Sequence, residues 1–386
     1  MKLGKLCILF TDGDWIESKD QSDSGIRLIQ TGNIGNGEFL YKNDKAKYIS
    51  VDTFKRLNCK EVFPNDILVS RLPEPVGRGC IIPDIGEKMI TAVDCTICRI
   101  NENLVDRKYF CYFLESNAYK TQLEQHVTGT TRKRISRKNL SSVEIDIPEQ
   151  AKQKEVVYKL DRLKKIIQNY NRELDLLDEL VRARFVEMFG RPTDKITRYP
   201  KVKIANLIKE GKASIKAGPF GSSLKKEFYV KKGFKIYGQE QVIKDDPTFG
   251  DYYINEERFN SLKSCEVHAG DILISLVGTC GKTMIMPENF EPGIINPRLL
   301  KITFDAEFII PIYFKYFFGS DDLQKMLNSA SGHSTMNVVN ASMLKNVELI
   351  MAPIELQNQF ASFVKEIDKS RLLSNHSLFL IKSIIF

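Results

Sequence analysis

Between residues 149 and 190, apolar side chains recur at alternating steps of four and three positions. The segment follows Pro148 and contains no glycine or further proline until Gly190, so the sequence predicts one uninterrupted helix. A sustained period of 3.5 residues is typical of a coiled-coil seam. The helix would be roughly 60 Å long, too long for a core helix of either flanking segment. We expect Phe185, Met188 and Phe189 to fix its end to the segment that follows. The predicted seam consists of Val156, Leu160, Leu163, Ile167, Tyr170, Leu174, Leu177 and Val181.

A second, less regular helix is predicted over residues 354–386. Phe360, Val364 and Ile367 mark its apolar stripe, whereas Arg371 and Ser374 interrupt a strict heptad. The simplest use of two such helices is to pair with each other, and an antiparallel pair would place the flanking segments at opposite ends with approximate two-fold symmetry. The alternative is an exposed helix that binds another protein, and both arrangements can hold at once.

The segments outside the helices repeat one another. YISVDTFKRLNCKEVFPNDIL over 48–68 and YINEERFNSLKSCEVHAGDIL over 253–273 are identical at nine of 21 positions, at a constant offset of 205. Each copy continues as a β-branched strand, Ile67–Ser70 in the first and Ile272–Ser275 in the second. The chain is therefore predicted to be a duplication with two mixed α/β units of the α+β class. The predicted boundaries are 1–148 and 191–353 for the units, and 149–190 and 354–386 for the helices.

Composition adds three constraints. The net charge of +8 is compatible with a polyanionic partner but does not establish one. No run of about 18 apolar residues occurs, so we expect no membrane span and a cytoplasmic location. Cys95 and Cys98 form a lone CxxC without a second ligand pair, so no metal is expected, and the alternation of Val93, Cys95 and Ile97 indicates one face of a strand.

Six short stretches stand in a fixed order along the chain: GDWIES over 13–18, GIRLIQTGNI over 25–34, RARFVEMFG over 182–190, GPFGSSLK over 218–225, YGQ over 237–239 and PIELQNQF over 353–360. With these stretches, the whole chain resembles the specificity subunits of Type I restriction-modification systems. The resemblance implies two target-recognition domains, each reading one half of a bipartite site in double-stranded DNA. It also implies that the chain docks two methyltransferase subunits, which restriction and motor subunits join.

Candidate DNA contacts lie in polar loops. Residues 130–139 contain five cations and no acid, which suits phosphate neutralisation and guanine recognition by arginine. The counterpart, 332–340, carries amides and hydroxyls instead, so the two units would read different bases. A Gly-Pro-Phe-Gly turn in the second unit has amides that are suited to hold a phosphate, and nearby glutamines are candidates for adenine. The candidates are Thr31, Asn33, Arg132, Lys133, Arg134, Arg137, Lys138, Lys216, Ser222, Ser223, Lys225, Lys226, Gln239, Gln241, Asn337 and Asn340.

Catalytic motifs are incomplete. The run from Gly278 to Thr283 lacks the first glycine of a phosphate-binding loop, because Leu276 stands where that glycine is needed. Asn296-Pro297-Arg298-Leu299 lacks the second proline and the aromatic residue of adenine methyltransferases, and no GxGxxG follows a strand, so no cofactor is expected. Two alternatives stay open. The chain could be a methyltransferase or nuclease with unrecognised motifs, which turnover by the chain alone would reveal, or a coiled-coil scaffold with no role on DNA.

Overall fold

The computed structural model describes residues 1–276, 281–330 and 340–385, with the side chains of residues 330 and 382–385 left out. The chain forms two compact units. The first comprises Met1–Tyr170 with the segment from Ser377 onwards, and the second comprises Asn171–His376. Each unit combines small β-sheets with helices, which confirms the predicted mixed α/β character.

The first unit contains two four-stranded sheets. In one, the order β1-β8-β5-β6 is antiparallel throughout, and in the other, β3-β2-β7-β4, only β2 and β7 run parallel. The strands are β1 Cys7–Asp12, β2 Ile26–Ile29, β3 Tyr48–Ile49, β4 Glu61–Val62, β5 Ile67–Ser70, β6 Gly79–Ile81, β7 Met89–Thr91 and β8 Cys95–Ile100. The helices are α1 Val51–Arg56, α2 Arg107–Glu115, α3 Asn117–Glu124, α4 Arg137–Ser142 and α5 Gln150–Phe189, the last of which continues into the second unit.

The second unit repeats the first sheet and three strands of the second, but the fourth strand of its second sheet joins the opposite edge. Its first and last strands form an additional two-stranded antiparallel sheet. Its first sheet has the order β10-β17-β14-β15 and its second the order β11-β13-β12-β16, in which β12 and β16 run parallel. Its strands are β9 Lys201–Lys203, β10 Ala213–Ala217, β11 Tyr229–Val230, β12 Phe234–Tyr237, β13 Tyr253–Ile254, β14 Ile272–Ser275, β15 Thr283–Ile285, β16 Gly293–Ile295, β17 Leu299–Phe304 and β18 Glu348–Ile350. Its helices are α6 Ile204–Lys209, α7 Gln239–Lys244, α8 Glu256–Ser261, α9 Pro311–Phe318, α10 Asp321–Ala330, α11 Ala341–Asn346 and α12 Ile354–Ile385.

Equivalent strands also divide their side chains in the same way. In β5, Ile67 and Val69 pack towards helices α2 to α4, while Leu68 packs between the two sheets. In β14, Ile272 and Ile274 pack on the helical side, and Leu273 packs on the other. A strand alternates faces at every residue, so matching layers require matching register. Both strands begin and end where the repeat predicts, and that prediction is confirmed.

The apolar stripe of α5 is more buried than its flanks. Each predicted seam residue is at least half-buried, and Val181 is fully buried, whereas Leu176 and Leu180 are 50% and 48% exposed. At its end, Phe185 and Phe189 are buried in the core of the second unit, as predicted, and Met188 packs against that core.

Helix α12 carries a polar seam that the sequence analysis misread. Arg371 and Ser374 do not interrupt the stripe but lie on it, because each finds a polar partner on α5: Asp178 for Arg371 and Glu173 for Ser374. The buried positions of α12, Gln357, Phe360, Val364, Ser374 and Leu378, therefore share one heptad spacing with the half-buried Ile367 and Arg371.

A buried glutamine fastens the first turn of each long helix to its own unit. Gln153 Oε1 accepts the Asp106 amide at 2.6 Å, and its Nε2 donates to the carbonyls of Leu104 and Pro148. Gln357 repeats all three bonds, to the Ile310 amide at 3.0 Å and to the carbonyls of Phe308 and Ala352, each at 2.9 Å. The backbone groups that meet there are satisfied by the one side chain, so its loss leaves them unpaired.

We expect Gln357→Ala to lower the free energy of unfolding of the second unit by ~1–3 kcal/mol, the usual result of leaving buried backbone groups unpaired. The measurement is the urea midpoint, followed by a probe in that unit. Gln359→Ala, at an exposed position on the same helix, is the matched control and should leave the midpoint unchanged. An equal effect of the two substitutions would contradict the role assigned to Gln357.

Candidate nucleic-acid interface

The predicted basic loop of the first unit is a hairpin followed by a helix. Thr128 and Arg134 exchange two backbone hydrogen bonds of 2.9 Å, and Gly129, at φ +99°, permits the tight turn. Helix α4 then begins after Ser136, whose hydroxyl caps it by accepting the Asn139 amide. This segment presents five exposed cations, at Arg132, Lys133, Arg134, Arg137 and Lys138.

Two of these cations have acidic neighbours. Lys133 contacts Glu74 at 2.9 Å, and Arg137 lies 4.0 Å from Asp12. No ion pair joins Arg132, Arg134 or Lys138 to any residue the structure describes. These three side chains therefore keep their charge available to a polyanion. The hairpin with the start of α4, residues 128–138, is called the basic hairpin below.

A buried arginine that sequence reasoning missed holds the base of the basic hairpin. Arg71, 5% exposed, donates to the carbonyls of Ile135 and Val93 and lies 3.2 Å from Asp12. The Ile135 amide donates in turn to the Arg71 carbonyl at 3.1 Å. The cations project from a fixed root because Ile135 is itself buried. A lone arginine after a strand gives no sequence signal for such a tether.

The loop after β2 contradicts one predicted contact. Asn33 is 8% exposed, and its amide accepts from Gln30 N at 2.9 Å and donates to Leu40 O at 2.9 Å. Its polar atoms thus hold the loop together and are not available to a base. The prediction that Asn33 contacts a base directly is therefore wrong. Thr31 is half-buried, and its carbonyl accepts from Arg78 Nη2 at 3.0 Å.

The equivalent loop after β12 corrects a second prediction in the same way. Gln241 is 4% exposed; it accepts from Gly238 N at 3.0 Å and donates to Phe249 O at 2.9 Å. It closes the first turn of α7 and is not free to read adenine. Gln239, two residues earlier, is half-buried at the start of that helix. The signal that was available is the spacing, because an amide side chain three residues after the cap residue is a common capping pattern.

The other second-unit candidates lie on or next to the Gly-Pro-Phe-Gly turn. Lys216 is half-buried in β10, Ser222 and Ser223 form a short 3₁₀ turn, and Lys225 and Lys226 are exposed. Lys225 lies 3.6 Å from Glu227. The turn thus brings several cations and hydroxyls to one connection without burying them.

The counterpart of the basic hairpin is only partly described. Asn337 and the incomplete phosphate-loop residues Gly278, Thr279 and Cys280 lie outside the described residues. Asn340 is exposed, and its side-chain oxygen caps α11 by accepting the Met343 amide at 2.9 Å. It occupies the place that Ser136 has before α4, which leaves only its NH₂ group for another partner.

The CxxC cysteines point to opposite faces of β8. Cys95 packs with Ile97 between the sheets, as the alternation predicted, while Cys98 packs on the helical side. Burial raises the pKa of Cys95 to about 12 and that of Cys98 well above its usual value. Both thiols are therefore protonated at neutral pH, and their geometry does not allow them to share a ligand. Among the described residues, no cluster of histidine, cysteine or acidic side chains has the arrangement of a metal site.

Comparison with known proteins agrees with this architecture. Two relatives are from Escherichia coli. The EcoBI specificity subunit is 23% identical over 70% of this chain and 61% of its own length. The EcoKI specificity subunit of strain K12 is 20% identical over 89% of this chain and 76% of its own length. The chain thus spans less than two thirds of the first of these relatives.

Two solved structures share the fold. One, from work on assembly and conformational transition of the type I R-M system, aligns with all of this chain and 94% of its own at a TM-score of 0.64 and 14% identity. The other, a Type I restriction-modification S subunit from M. genitalium, aligns with all of this chain and 93% of its own length at a TM-score of 0.50 and 14% identity. No helix in the described part of the chain has the length and apolar character that crossing a membrane requires.

The family model of the Type I restriction modification DNA specificity domain matches residues 1–178 and again residues 209–381. The two matches fall on the two structural repeats. This chain belongs to the family of Type I restriction-modification DNA specificity proteins and carries the family's domain twice.

Proposed function

We propose that the chain is the DNA-specificity subunit of a Type I restriction-modification complex, and that it contains no catalytic centre. Each unit would read one half of a bipartite target in double-stranded DNA. The observation that carries this proposal is the pairing of a repeated scaffold with unlike loops. Residues 130–139 of the first unit hold five cations, whereas residues 332–340 of the second hold amides and hydroxyls. Copies with the same frame and different loop chemistry are suited to recognise different base sequences.

The chemistry would come from partners. An adenine in each half-site would be turned out of the duplex and methylated by one of two docked methyltransferase subunits, with restriction and motor subunits completing the assembly. Helices α5 and α12 offer a docking surface, because Leu176, Leu180, Leu372 and Leu373 are between 48% and 72% exposed. Large apolar side chains that stay exposed on neighbouring helices favour burial by a protein partner.

We also propose that α5 and α12 form an antiparallel coiled coil. Support comes from contacts within the second unit, because residues later in α5 contact residues earlier in α12. Phe185 meets Phe360 with 5.4 Å between ring centroids, Asp178 pairs with Arg371, and Glu173 accepts from Ser374 at 3.1 Å. Because the helices carry equivalent positions of a duplicated chain, approximate two-fold symmetry follows from the same proposal. The domain boundaries 1–148, 149–190, 191–353 and 354–386 remain part of it.

The primary test is a map of methylated adenines in host DNA with and without the gene. A bipartite methylated sequence should disappear with the gene, and replacing residues 191–353 by the same segment of a relative should change one half of it only. Methylation by the purified chain alone, with DNA and S-adenosylmethionine, would instead support an unrecognised methyltransferase.

The basic hairpin should account for a large part of the salt dependence of DNA binding. Changing Arg132, Arg134 and Lys138 to glutamine should weaken binding on the order of tenfold or more at moderate salt. It should also lower the slope of log K against log salt by up to about three. Fluorescence anisotropy at several salt concentrations measures both quantities. The matched control changes Lys154, Lys165 and Lys209, which are exposed lysines outside the hairpin, and an equal loss there would show a general charge effect.

If the helix pair sets the distance between half-sites, lengthening both helices should lengthen the spacer. One heptad inserted after Leu174 and one after Ser374 keep the seam in phase. They add roughly 10 Å, equivalent to about three base pairs. Methylome sequencing reads the new spacer directly. An unchanged spacer in an active complex would refute the ruler, and a single-helix insertion, which puts the seams out of register, should abolish methylation.

The exposed leucines predict a partner-specific defect. Leu176→Gln with Leu180→Gln, or Leu372→Gln with Leu373→Gln, should reduce co-purification of the methyltransferase subunit while the chain stays folded. Burying each leucine contributes ~1.5–3 kcal/mol. Ile196→Gln, at a 93% exposed position away from these helices, is the control. Full recovery of the partner with all four leucines replaced would exclude this surface.

A further inference from the structure

Each unit displays one aromatic ring to solvent at the same place in its fold. Trp15 and Phe220 are separated by the repeat offset of 205 and are 70% and 87% exposed. Trp15 lies three residues after β1, and Phe220 lies three residues after the equivalent strand, β10. Large aromatic side chains normally bury much of their surface. A single exposed aromatic residue is common and needs no explanation, but exposure at equivalent positions of both copies indicates a shared role.

Both rings sit on turns that are fixed by the same backbone contacts. The amide of Gly13 donates to the Cys95 carbonyl at 2.9 Å, and the equivalent amide of Gly218 donates to the Leu299 carbonyl at 3.0 Å. Neither glycine has room for a side chain. A Cβ would lie 2.3 Å from the Thr91 carbonyl oxygen in one copy and 1.8 Å from that of Asn296 in the other. The close approach requires glycine in both copies, and it holds the turn against the strand connection.

Flanking residues keep the rings pointing outwards. In the first unit, Ile16 packs into the core beside Trp15, and Asp14 is held by the backbone amide of Lys60 at 2.7 Å. In the second unit, Pro219 before Phe220 is buried, and Leu224 lies in the core at 5% exposure. Trp15 Nε1 donates to Glu17 Oε1 at a long 3.4 Å, and this contact at the edge of the ring leaves both ring faces uncovered.

We propose that Trp15 and Phe220 are the base-stacking residues of the two units, each stacking on a base of its own half-site where the bound duplex opens. This inference rests on the proposed function and adds the residues and the mode of contact. A rigidly mounted ring with free faces can insert at a base step or take the place of a displaced base, and stacking of this kind tolerates any base. The exposed Lys225 and Lys226 near Phe220 would then neutralise adjacent phosphates.

The chain supplies its own probe, because Trp15 is its only tryptophan. Replacing it by 5-hydroxytryptophan, and assembling the chain with unlabelled methyltransferase subunits, allows excitation beyond the ordinary tryptophan band. Target duplex, identified by methylome mapping, should quench the fluorescence strongly, and a scrambled duplex should quench it less. The double variant Trp15→Phe with Phe220→Trp moves the same probe to the second unit and should give the same response.

Substitution tests whether the aromatic ring matters or only its apolar surface. Trp15→Leu and Phe220→Leu should each weaken binding of the target about tenfold, whereas Trp15→Phe and Phe220→Tyr should stay within about twofold. The loss should be specific to one half-site: Trp15→Leu should have no effect on a duplex whose first half-site is scrambled. A merely structural role would weaken binding to all duplexes alike. Ile196→Ala serves as the exposed control.

The possible results separate this inference from the proposed function. Unquenched probes, together with leucine variants that bind like the unaltered complex, overturn the stacking role while target discrimination by the unaltered complex leaves the function standing. Quenching with a half-site-specific loss supports both. If the unaltered complex discriminates no duplex and methylation does not depend on the gene, the function fails and the stacking role fails with it.

Discussion

The structure depends on one helix that is anchored in both units, by buried hydrogen bonds at its start and by a hydrophobic core at its end. At its start, Gln153 closes backbone bonds of the first unit; at its end, Phe185 and Phe189 are buried against Tyr313 and Phe360 of the second. Between these anchors the helix has only a narrow apolar stripe. An isolated helix of this kind gains little stability from propensity alone, so its ends have to be held by tertiary packing.

Much of the architecture could be predicted because the chain is duplicated. A strand pattern that is weak in one copy becomes convincing when the other copy repeats it. The offset of 205 aligned the strands that became β5 and β14. The 3.5-residue period located α5, and a less regular apolar stripe located α12. Placement of individual polar residues could not be predicted. Asn33 and Gln241 have the chemistry of base readers and of loop caps alike, and which role wins depends on whether unpaired backbone groups lie within reach.

The polar residues on the apolar stripe of α12 could not be interpreted from the sequence either. Arg371 was an interruption in the sequence because its partner, Asp178, is almost two hundred positions away. Once paired, a charged residue can occupy a half-buried seam position. It also discriminates against other registers, since a shift would break the ion pair with Asp178 and retain the one with Asp368 of its own helix. Sequence periodicity detects apolar positions and has no means of detecting a distant partner.

Comparison of the two copies distinguishes buried residues that stabilise the fold from exposed residues that are free to differ between the copies. One buried acidic position keeps its chemistry: Asp66 pairs with Arg99, and the equivalent Asp271 pairs with Lys301, both at 2.8 Å. Both carboxylates also cap the turn before their strand. The fold explains this agreement, because an unpaired buried carboxylate is costly.

Exposed positions have no such constraint, and the basic hairpin and its counterpart differ accordingly. Trp15 and Phe220 do not follow this division, since they are exposed and yet both aromatic. Both rings are largely exposed, so burial within the units does not account for an aromatic residue at these positions. Under the proposed function both units would contact the duplex, and the element common to every half-site would be the flat face of a base.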